Sequence, residues 1–575
     1  MAKGGSKLPV VEVDLRRLAA LTVWHGSPGD LLDVVPYAGL DIESVEDYTA
    51  RLEYSPNRPD FATEWGIAHY LRGLTGVELG PAEISLSSSG VLVSADPALR
   101  GIRPYVAGLV ARDLRLDDDS LKQLIRMQED LHEGLGRHRR RVAIGLHDLD
   151  KITPPIRYMA VGGDHAFVPL GESKPWTVKR ILEEHELGRK YGSGFSGTSL
   201  YPVLVDSAGN TLSFPPIING EHTRVHGGTC SLFVDVTGTS LSKVMDALSV
   251  LALTLHEMKA HIEYVSIDYG DVVLRTPDLS SRELYVSASH ASSLLGLDLK
   301  PSDLAEYLGR SRIGVREILR DGVVARVPRY RFDVMHEVDL VEEIAYGYGY
   351  SRLSPEQPRE LGIGGLSSGS LFDEMIRDIA TGMGMQEVVT THLMSYDVLY
   401  SVTGRPPERP VRVLSSKSSE HEYLRDSLIP GLLYVLSANV HEEYPQRIFE
   451  LGVVVRGEGT SAGEHRRFAA AVAHARANFT EVKSTVDALV RSLLGTQPSY
   501  SASGCVRPFI DGRCASTSLS GIELGVLGEI APSTLEQLHI QVPVAAVELD
   551  LDALSTLCGT GSREVSGDSL QHRLQ

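Results

Sequence analysis

The sequence has few of the features that mark membrane, secreted or disulfide-rich proteins. No apolar run approaches the roughly 18 residues of a membrane-spanning helix, so no membrane span is predicted. No hydrophobic segment follows the N-terminal MAKGGSK, so no secretory signal is predicted. The 575 residues include four cysteines and no CxxC pair, which argues against a zinc ribbon or a disulfide framework. We therefore expect a cytoplasmic protein.

Basic residues are scarce relative to acidic ones. There are 56 Lys and Arg against 75 Asp and Glu, a formal net charge of −19. Coating nucleic acid requires excess Lys and Arg, so this mode of binding is excluded and no DNA partner is expected. A local basic patch is still possible. If the chain contacts RNA, we expect a partner protein to supply much of the positive surface.

Length and composition predict a multidomain α+β protein, because domains have roughly 100–200 residues each. Pro- and Gly-containing linkers lie at 275–279 and 354–365. The predicted parts are an N-terminal α/β domain (1–95), an α/β domain (96–275), a unit of short helices with a hairpin turning at Asp321-Gly322 (281–355), an antiparallel-sheet domain (366–560) and a disordered tail (561–575). Strands of the last domain are predicted at 447–456, 467–473, 518–527 and 543–550.

The segment RFDVMHEVDLVEEIAYGYGY, which begins at Arg331, carries a dense set of carboxylates. Asp339, Glu342 and Glu343 follow i, i+3, i+4 spacing, which places them on one helix face, and Asp333 lies at the helix entry. Like charges this close repel one another. A divalent cation, a basic partner or full solvation would each relieve the repulsion, and magnesium suits a few carboxylates plus water.

Three motifs occur in a fixed order: SPNRPD at 55–60, SFPPIINGEHTRV at 213–225 and the acidic segment from Arg331. Together they closely resemble the β subunits of phenylalanine–tRNA ligases, in their archaeal and eukaryotic form, over about residues 10–554. The resemblance implies that Asp333, Asp339, Glu342 and Glu343 hold Mg²⁺. It also implies a B3/B4-type editing domain at 96–275, a winged-helix-like B5 domain at 281–355 and a class II ligase-like domain at 366–560.

The class II ligase-like domain lacks the residues that such a fold needs to activate an amino acid. Catalytic members use arginines to offset the charge on ATP phosphates. Here QRIFELGVVV (446–455) lacks the Arg-containing loop, and VPVAAVELDLDAL (542–554) has neither glycine nor arginine. We therefore expect a scaffold without this chemistry. Arg425 is either a phosphate ligand or, as we favour, an internal packing or ion-pair residue.

A second, hydrolytic site follows from the limits of selectivity. A pocket shaped for Phe rejects Tyr by only about a hundredfold, so the resemblance implies editing of Tyr-tRNA(Phe). Candidate polar residues gather in SFPPIINGEHTRV and FVDVTGT, with Leu204 as a possible wall. No Ser-His-Asp arrangement is evident, and His222 and His226 are expected at the surface. The editing candidates are Ser213, Asn219, Glu221, Thr223, Asp235 and Thr237.

The RHRRR run is the one concentrated cationic segment, comprising Arg137, His138, Arg139, Arg140 and Arg141. It follows a predicted helix, so its charge either complements the helix C-terminus or contacts tRNA phosphates. Both alternatives remain open at this stage.

The resemblance implies that the chain is one half of a ligase that joins phenylalanine to tRNA(Phe) with ATP and Mg²⁺. The expected partners are an α subunit, in an α2β2 heterotetramer, and tRNA(Phe). The alternatives are a free-standing tRNA-editing hydrolase and a non-catalytic RNA-binding scaffold. The ligase-like domain at 366–560 argues against the first alternative, because a free-standing editor does not need it.

Overall fold

The computed structural model describes residues 8–357, 362–459, 461–502 and 507–559. The predicted tail at 561–575 lies outside these residues. The chain divides into two compact units, 1–357 and 358–575, and each is described by itself. No helix in the described part is both long and apolar enough to cross a membrane.

The first unit begins with a small antiparallel sheet in the order β1-β3-β2. Asp14 caps the first helix by accepting hydrogen bonds from two amides of its first turn. SPNRPD forms a turn and a short 3-10 helix, and the following helix begins at Glu64 because extended Thr63 caps it. The bounds are β1 (Val10–Asp14), α1 (Leu15–Thr22), β2 (Leu40–Glu46), β3 (Thr49–Tyr54) and α2 (Glu64–Leu74).

A ten-stranded sheet follows, with nine strands in the order β12-β11-β10-β7-β4-β14-β5-β13-β6 and β15 paired with β14. Its elements are β4 (Ser87–Ala95), β5 (Tyr105–Arg112), α3 (Asp118–Glu133), β6 (Val142–Asp148), β7 (Ile156–Val161), β8 (Ala166–Phe167), β9 (Trp176–Thr177), α4 (Val178–Glu184), α5 (Glu186–Tyr191), β10 (Tyr201–Val205), β11 (Thr211–Phe214), β12 (Ile218–Asn219), β13 (Leu232–Gly238), α6 (Leu241–Glu257), β14 (His261–Asp268) and β15 (Val273–Thr276). Strands β8 and β9 pair separately.

The boundary predicted at residue 95 is wrong. Strand β4 lies in the middle of the ten-stranded sheet, where it pairs in parallel with both β14 and β7. Its partners are distant in sequence, so no local pattern assigns it to this sheet. The segment before it shares one hydrophobic core with the sheet, from Val11 through Leu251 to Tyr330.

The last part of the first unit combines a small antiparallel sheet, in the order β16-β18-β17, with three helices. The hairpin predicted around Asp321-Gly322 is present as β17 and β18. The bounds are β16 (Arg282–Ser287), α7 (Ala288–Leu295), α8 (Pro301–Arg310), β17 (Gly314–Ile318), β18 (Gly322–Val327) and α9 (Glu337–Tyr348).

The second unit is built on a seven-stranded sheet, in the order β19-β22-β23-β27-β26-β25-β24, with apolar clusters that include Phe468 and Ala471. All pairs in it are antiparallel except β19–β22. The bounds are α10 (Ser368–Gly382), β19 (Gln386–Glu387), β20 (Leu393–Met394), β21 (Tyr423–Leu424), α11 (Ile429–Ala438), β22 (Gln446–Glu458), β23 (Ser461–Ala473), α12 (Phe479–Leu494), β24 (Ser499–Ser501), β25 (Phe509–Leu519), β26 (Ile522–Ile530), α13 (Pro532–Gln537), β27 (Val544–Asp550) and α14 (Leu551–Leu557).

Two expectations for this unit need correction. The strand predicted at 518–527 is two strands, because the chain turns at Ser520 and Gly521, both with positive φ. Cys514 is disulfide-bonded, which the cysteine spacing did not predict.

Candidate functional site

A cavity of about 460 Å³ lies where α3, β6, β11, β12 and β13 meet. Its volume is in the range of roughly 300–1,000 Å³ that is usual for small-molecule sites. Apolar side chains such as Ile125, Leu146 and Ile217 form much of the wall, and a few polar groups converge on it. The cavity can therefore enclose an apolar or aromatic group and orient it through polar contacts.

Four of the six predicted editing residues line this cavity: Ser213, Asn219, Thr223 and Asp235. Ser213 is buried, and its Oγ has no hydrogen-bond partner among the described residues. A buried hydroxyl without a partner is costly, so a ligand oxygen or a water at this position would be stabilised. Asn219 Nδ2 donates a long hydrogen bond of 3.4 Å to the carbonyl of Leu146.

The other predicted residues of the middle domain lie outside the lining. Glu221 accepts from the Gly171 amide (2.7 Å) and from Arg224 (3.2 Å). The amide contact, followed by Arg224, lowers the pKa of Glu221 although burial opposes it. Thr237 Oγ1 accepts from Arg103 Nε at 2.9 Å, and Leu204 is fully buried in a separate apolar cluster. Thr237 and Leu204 therefore have structural contacts here.

A buried histidine that the sequence did not single out connects two of the lining residues. His147 Nε2 lies 2.7 Å from Asp235 Oδ2, and His147 Nδ1 lies 2.8 Å from Thr223 Oγ1. Thr223, His147 and Asp235 thus form a hydroxyl–histidine–carboxylate arrangement that was not evident from the sequence. His222 and His226 are exposed, as expected, and neither lines the cavity.

Arg139 belongs to the cavity wall, so the expectation of a tRNA contact for it is not supported. Its side chain donates to Glu129 (2.6 Å) and to the carbonyl of Ile217 (3.1 Å), and its guanidinium lies 4.5 Å from the ring centroid of Tyr191. It is only 12% exposed. Buried Arg103 donates to the carbonyls of Arg139 and Arg140 and holds this loop in place.

The other arginines of the run, Arg137, Arg140 and Arg141, are exposed. Three consecutive residues of the loop, from Arg137 to Arg139, have φ of 46°, 55° and 62°. Left-handed conformations at non-glycine residues are strained and need support from surrounding structure. This backbone turns the Arg139 side chain inward, whereas its neighbours face solvent and remain predicted RNA contacts.

Glu129 is a charged group in the cavity that the sequence did not indicate. Burial alone would raise its pKa, but His132 and Arg139 outweigh burial and lower the pKa. His132 Nε2 accepts from the Ile144 amide at 2.8 Å, so Nδ1 is the atom that faces Glu129, at 3.3 Å. Burial lowers the pKa of His132, so Glu129 is ionised beside a largely neutral imidazole at neutral pH.

Three of the four predicted magnesium ligands, Asp333, Asp339 and Glu343, are engaged with the protein itself. Arg331 donates three hydrogen bonds of 2.8–3.2 Å to the carboxylate of Asp333 and a further one to Glu343. Glu343 also accepts from the Tyr70 hydroxyl at 2.9 Å. Asp339 accepts from the Met335 and His336 amides, both at 2.7 Å, and so caps α9.

In this arrangement the carboxylates do not fit a metal ion. No group of three His, Cys, Asp or Glu side chains that could hold a metal occurs in the described ranges. The cation next to Asp333 and Glu343 is the Arg331 guanidinium, which is one of the alternatives left open by the sequence. Partial burial, followed by the charges of Glu343 and Asp339, raises the pKa of Glu342. A magnesium site therefore stays a prediction.

The second unit contains a cavity of about 690 Å³, and carboxylates occupy its wall. Glu548 and Asp550, from the segment 542–554 that has neither glycine nor arginine, both line it. Arg467 lies 3.1 Å from Asp550, and Arg405 donates to Asp426 at 2.9 Å. The wall also includes Arg456 and Arg507, so the cavity carries both acidic and basic side chains.

The nominated phosphate ligand Arg425 is an internal ion-pair residue, as favoured from the sequence. It is 2% exposed and donates to Glu450 at 2.6 Å and to the Val453 carbonyl at 2.9 Å. Its remaining hydrogen bonds go to Thr390.

Comparison with known proteins finds matches over most of the chain. A family model described as "Phenylalanyl tRNA synthetase beta chain CLM domain" matches residues 357–551, and one described as "tRNA synthetase B5 domain" matches residues 284–350. The phenylalanine–tRNA ligase beta subunit of Archaeoglobus fulgidus is 39% identical over 526 residues, covering 91% of this chain and 95% of that protein. The corresponding protein of Pyrococcus furiosus is 38% identical over 558 residues, covering 95% and 99%.

A solved structure is also similar to the first unit. It is an N-terminal fragment of the phenylalanyl-tRNA synthetase beta subunit from Pyrococcus horikoshii, 38% identical with a TM-score of 0.57, covering 59% of this chain and 99% of the fragment. From these identities and coverages, the chain belongs to the family of phenylalanine–tRNA ligase β subunits.

Proposed function

We propose that this chain is the proofreading and scaffolding half of a ligase that attaches phenylalanine to tRNA(Phe) with ATP. The cavity at α3, β6 and β13 hydrolyses the ester of Tyr-tRNA(Phe). The observation that carries this proposal is the convergence of Ser213, Asn219, Thr223 and Asp235 on one cavity with an apolar wall. Water attacks the ester there while these groups orient it.

The polar groups of the cavity give it a selectivity for tyrosine over phenylalanine that an apolar amino-acid-activating pocket lacks. An apolar pocket rejects an added hydroxyl only weakly, whereas a site that hydrogen-bonds the hydroxyl discriminates strongly against the analogue without it. Glu129 is ionised and lines the cavity, so it can accept a hydrogen bond from the phenol of tyrosine. Phenylalanine would leave this carboxylate without that bond.

Amino-acid activation belongs to a partner α subunit in this proposal, in an α2β2 assembly in the cytoplasm. The second unit serves as a scaffold, because its segments 446–455 and 542–554 lack the arginine and glycine motifs with which such a fold binds ATP. The net charge of −19 means that the partner supplies much of the surface that meets tRNA. The purified chain should show no ATP–pyrophosphate exchange alone and full exchange with its α subunit, and exchange by the chain alone would refute this assignment.

The editing proposal is tested with the assembled ligase and preformed Tyr-tRNA(Phe). Ser213→Ala and Asn219→Ala should each slow deacylation about tenfold, the effect of one lost hydrogen bond. Glu221→Ala is the matched control, because Glu221 is close in sequence but outside the cavity lining. Phenylalanine charging should stay unchanged in all three variants. An unaltered ligase that leaves Tyr-tRNA(Phe) intact would refute the proposal.

A further inference from the structure

Three side chains on three elements form a hydrogen-bonded row that ends at the cavity. His147 lies on β6, Asp235 on β13 and Thr223 in the short 3-10 turn Glu221–Thr223. The imidazole makes its two contacts, of 2.7 and 2.8 Å, through its two different nitrogens. All three side chains are buried, and Thr223 and Asp235 also line the cavity. The row thus connects a buried imidazole to a hydroxyl at the cavity wall.

The neighbours of the ring determine where a neutral imidazole carries its proton. An ionised carboxylate only accepts hydrogen bonds, so Nε2 of His147 donates to Asp235. Nδ1 then has a free lone pair and accepts a hydrogen bond from the Thr223 hydroxyl. The Thr223 oxygen keeps its own lone pairs for a donor inside the cavity. This order of carboxylate, imidazole and hydroxyl activates hydroxyl groups in hydrolases of unrelated folds.

The sheet holds the row in register. Strands β6 and β13 are paired so that His147 lies opposite Phe233 and Asp235 lies opposite Gly145. Asp235 therefore reaches His147 diagonally across the space that Gly145 leaves free. The Phe233 ring, with its centroid 6.1 Å from that of the imidazole, packs beside it. Side chains on paired strands are more precisely placed than side chains on loops, as a proton-transferring group requires.

We propose that Thr223 is the catalytic residue of this hydrolysis and that His147, oriented by Asp235, is the positioning residue that accepts its proton. This inference rests on the editing function proposed above. As water attacks the ester carbonyl carbon, a water proton passes to Thr223 Oγ1 while the Thr223 proton passes to His147 Nδ1. When the bond from the carbonyl carbon to the ribose oxygen breaks, the proton returns through Thr223 to that oxygen. The products are free tyrosine and uncharged tRNA.

The assembled ligase and Tyr-tRNA(Phe) test this inference through a matched pair of variants. Thr223→Val keeps the shape of the side chain and removes the hydroxyl, whereas Thr223→Ser keeps the hydroxyl. Proton transfer by a positioned group contributes roughly 10²–10⁴-fold. Thr223→Val should therefore lower kcat for deacylation by about 100-fold or more with little change in KM, and Thr223→Ser should stay near the parent rate. If the valine variant fails to assemble, Thr223→Ala decides in the same way.

A double-mutant comparison separates proton transfer from simple packing. His147→Gln should lower kcat as Thr223→Val does, and the double variant should be no slower than either single one, since the groups act as a unit. Additive losses, or a Thr223→Val variant with the parent kcat, would overturn the inference. If Ser213→Ala slows the reaction while Thr223→Val does not, the editing function of this cavity is supported and only the proton transfer through Thr223 to His147 is refuted. If the parent ligase does not deacylate Tyr-tRNA(Phe), the proposed function itself fails.

Discussion

Gly145 lies directly opposite Asp235 on the paired strands β6 and β13, and any side chain at Gly145 would collide with that carboxylate. A Cβ atom built at this glycine would stand 2.0 Å from Asp235 Oδ2 and 2.6 Å from His147 Nε2. The contact between the carboxylate and the imidazole therefore depends on a residue without a side chain.

We expect Gly145→Ala to displace Asp235 and to lower the rate of Tyr-tRNA(Phe) deacylation by about tenfold or more, the effect of losing a buried hydrogen bond to a charged group. Phenylalanine charging should not change. Gly101→Ala is the control, since a Cβ at Gly101 meets no atom within 4 Å. Equal deacylation rates in the two variants would contradict this role for Gly145.

Arg139 and Arg140 are neighbours in sequence with different expected roles. Arg139→Ala should impair deacylation, because it removes a cavity wall and the partner of Glu129. It should leave the salt dependence of tRNA binding unchanged. If the exposed Arg140 contacts a phosphate, Arg140→Ala should lower the slope of log K against log salt by about one, with no effect on deacylation in the bound state. Filter binding across a salt series measures both, and a reduced slope for Arg139→Ala would contradict its inward placement.

Glu257 gives the first unit an acid-sensitive contact. Burial opposes its ionisation, but His69 (2.7 Å) and Arg72 (2.6 Å) outweigh burial and lower the pKa of Glu257 from 4.5 to about 2. A carboxylate with a depressed folded-state pKa stabilises the protein above its unfolded-state pKa, and this contribution is lost as pH falls through the folded-state value. The shift corresponds to at most about 3 kcal/mol of unfolding free energy, lost between about pH 4.5 and pH 2.

Glu257→Gln should therefore destabilise the protein at pH 7 and flatten the pH dependence of unfolding in that window. Denaturant unfolding at several pH values measures the effect. Glu306→Gln is the control, because the Glu306 side chain is 51% exposed in its contact with Arg310 and surface ion pairs contribute only about 0–1 kcal/mol. Identical pH profiles for parent and Glu257→Gln would contradict the expectation.

The acidic face of α9 allows a test of the predicted metal. The raised pKa of Glu342 reflects burial and the charges of Glu343 and Asp339. A carboxylate with a raised folded-state pKa favours folding when protonated, and this contribution is lost as pH rises through that pKa. In metal-free buffer at neutral pH, Glu342→Gln should therefore be neutral or stabilising. If the four carboxylates hold Mg²⁺, adding Mg²⁺ should raise the melting temperature of the parent and not that of the variant.

In the second unit, Arg425→Ala should lower the free energy of unfolding by about 3–5 kcal/mol, because it leaves Glu450 buried and unpaired. The exposed Arg412, paired with Glu422, provides the control, and its removal should cost about 0–1 kcal/mol. A loss of ATP affinity without a loss of stability in Arg425→Ala would instead identify Arg425 as a phosphate ligand.

The sequence predicted the chemistry of the candidate sites better than their connections. Local sequence patterns predicted the helix α9 with its carboxylates. They also placed Ser213, Asn219, Thr223 and Asp235 among the candidate editing residues. They did not reveal His147, which meets Thr223 and Asp235 across 76 and 88 residues. The one sequence signal for His147 was its position two residues after Gly145 on a buried strand.

The same limit explains the other errors. Arg331 lies two residues before Asp333, yet its second partner, Glu343, becomes a neighbour only after α9 forms. Strand β4 was assigned to the wrong domain because its partners β7 and β14 lie far along the chain. Arg139 and Arg140 lie in the same arginine-rich run, and none of the left-handed residues 137–139 is itself a glycine that would signal this backbone conformation.

The central position of β4 restricts how the domain that we propose to edit Tyr-tRNA(Phe) can be isolated from the first unit. A fragment cut at residue 95 would lose the strand that joins β7 to β14 and would split the sheet into two pieces with open edges. Such edges pair readily with other chains and promote aggregation. A soluble excised editing fragment therefore has to begin before Ser87, and it gains a complete interior only when residues 10–74 remain attached.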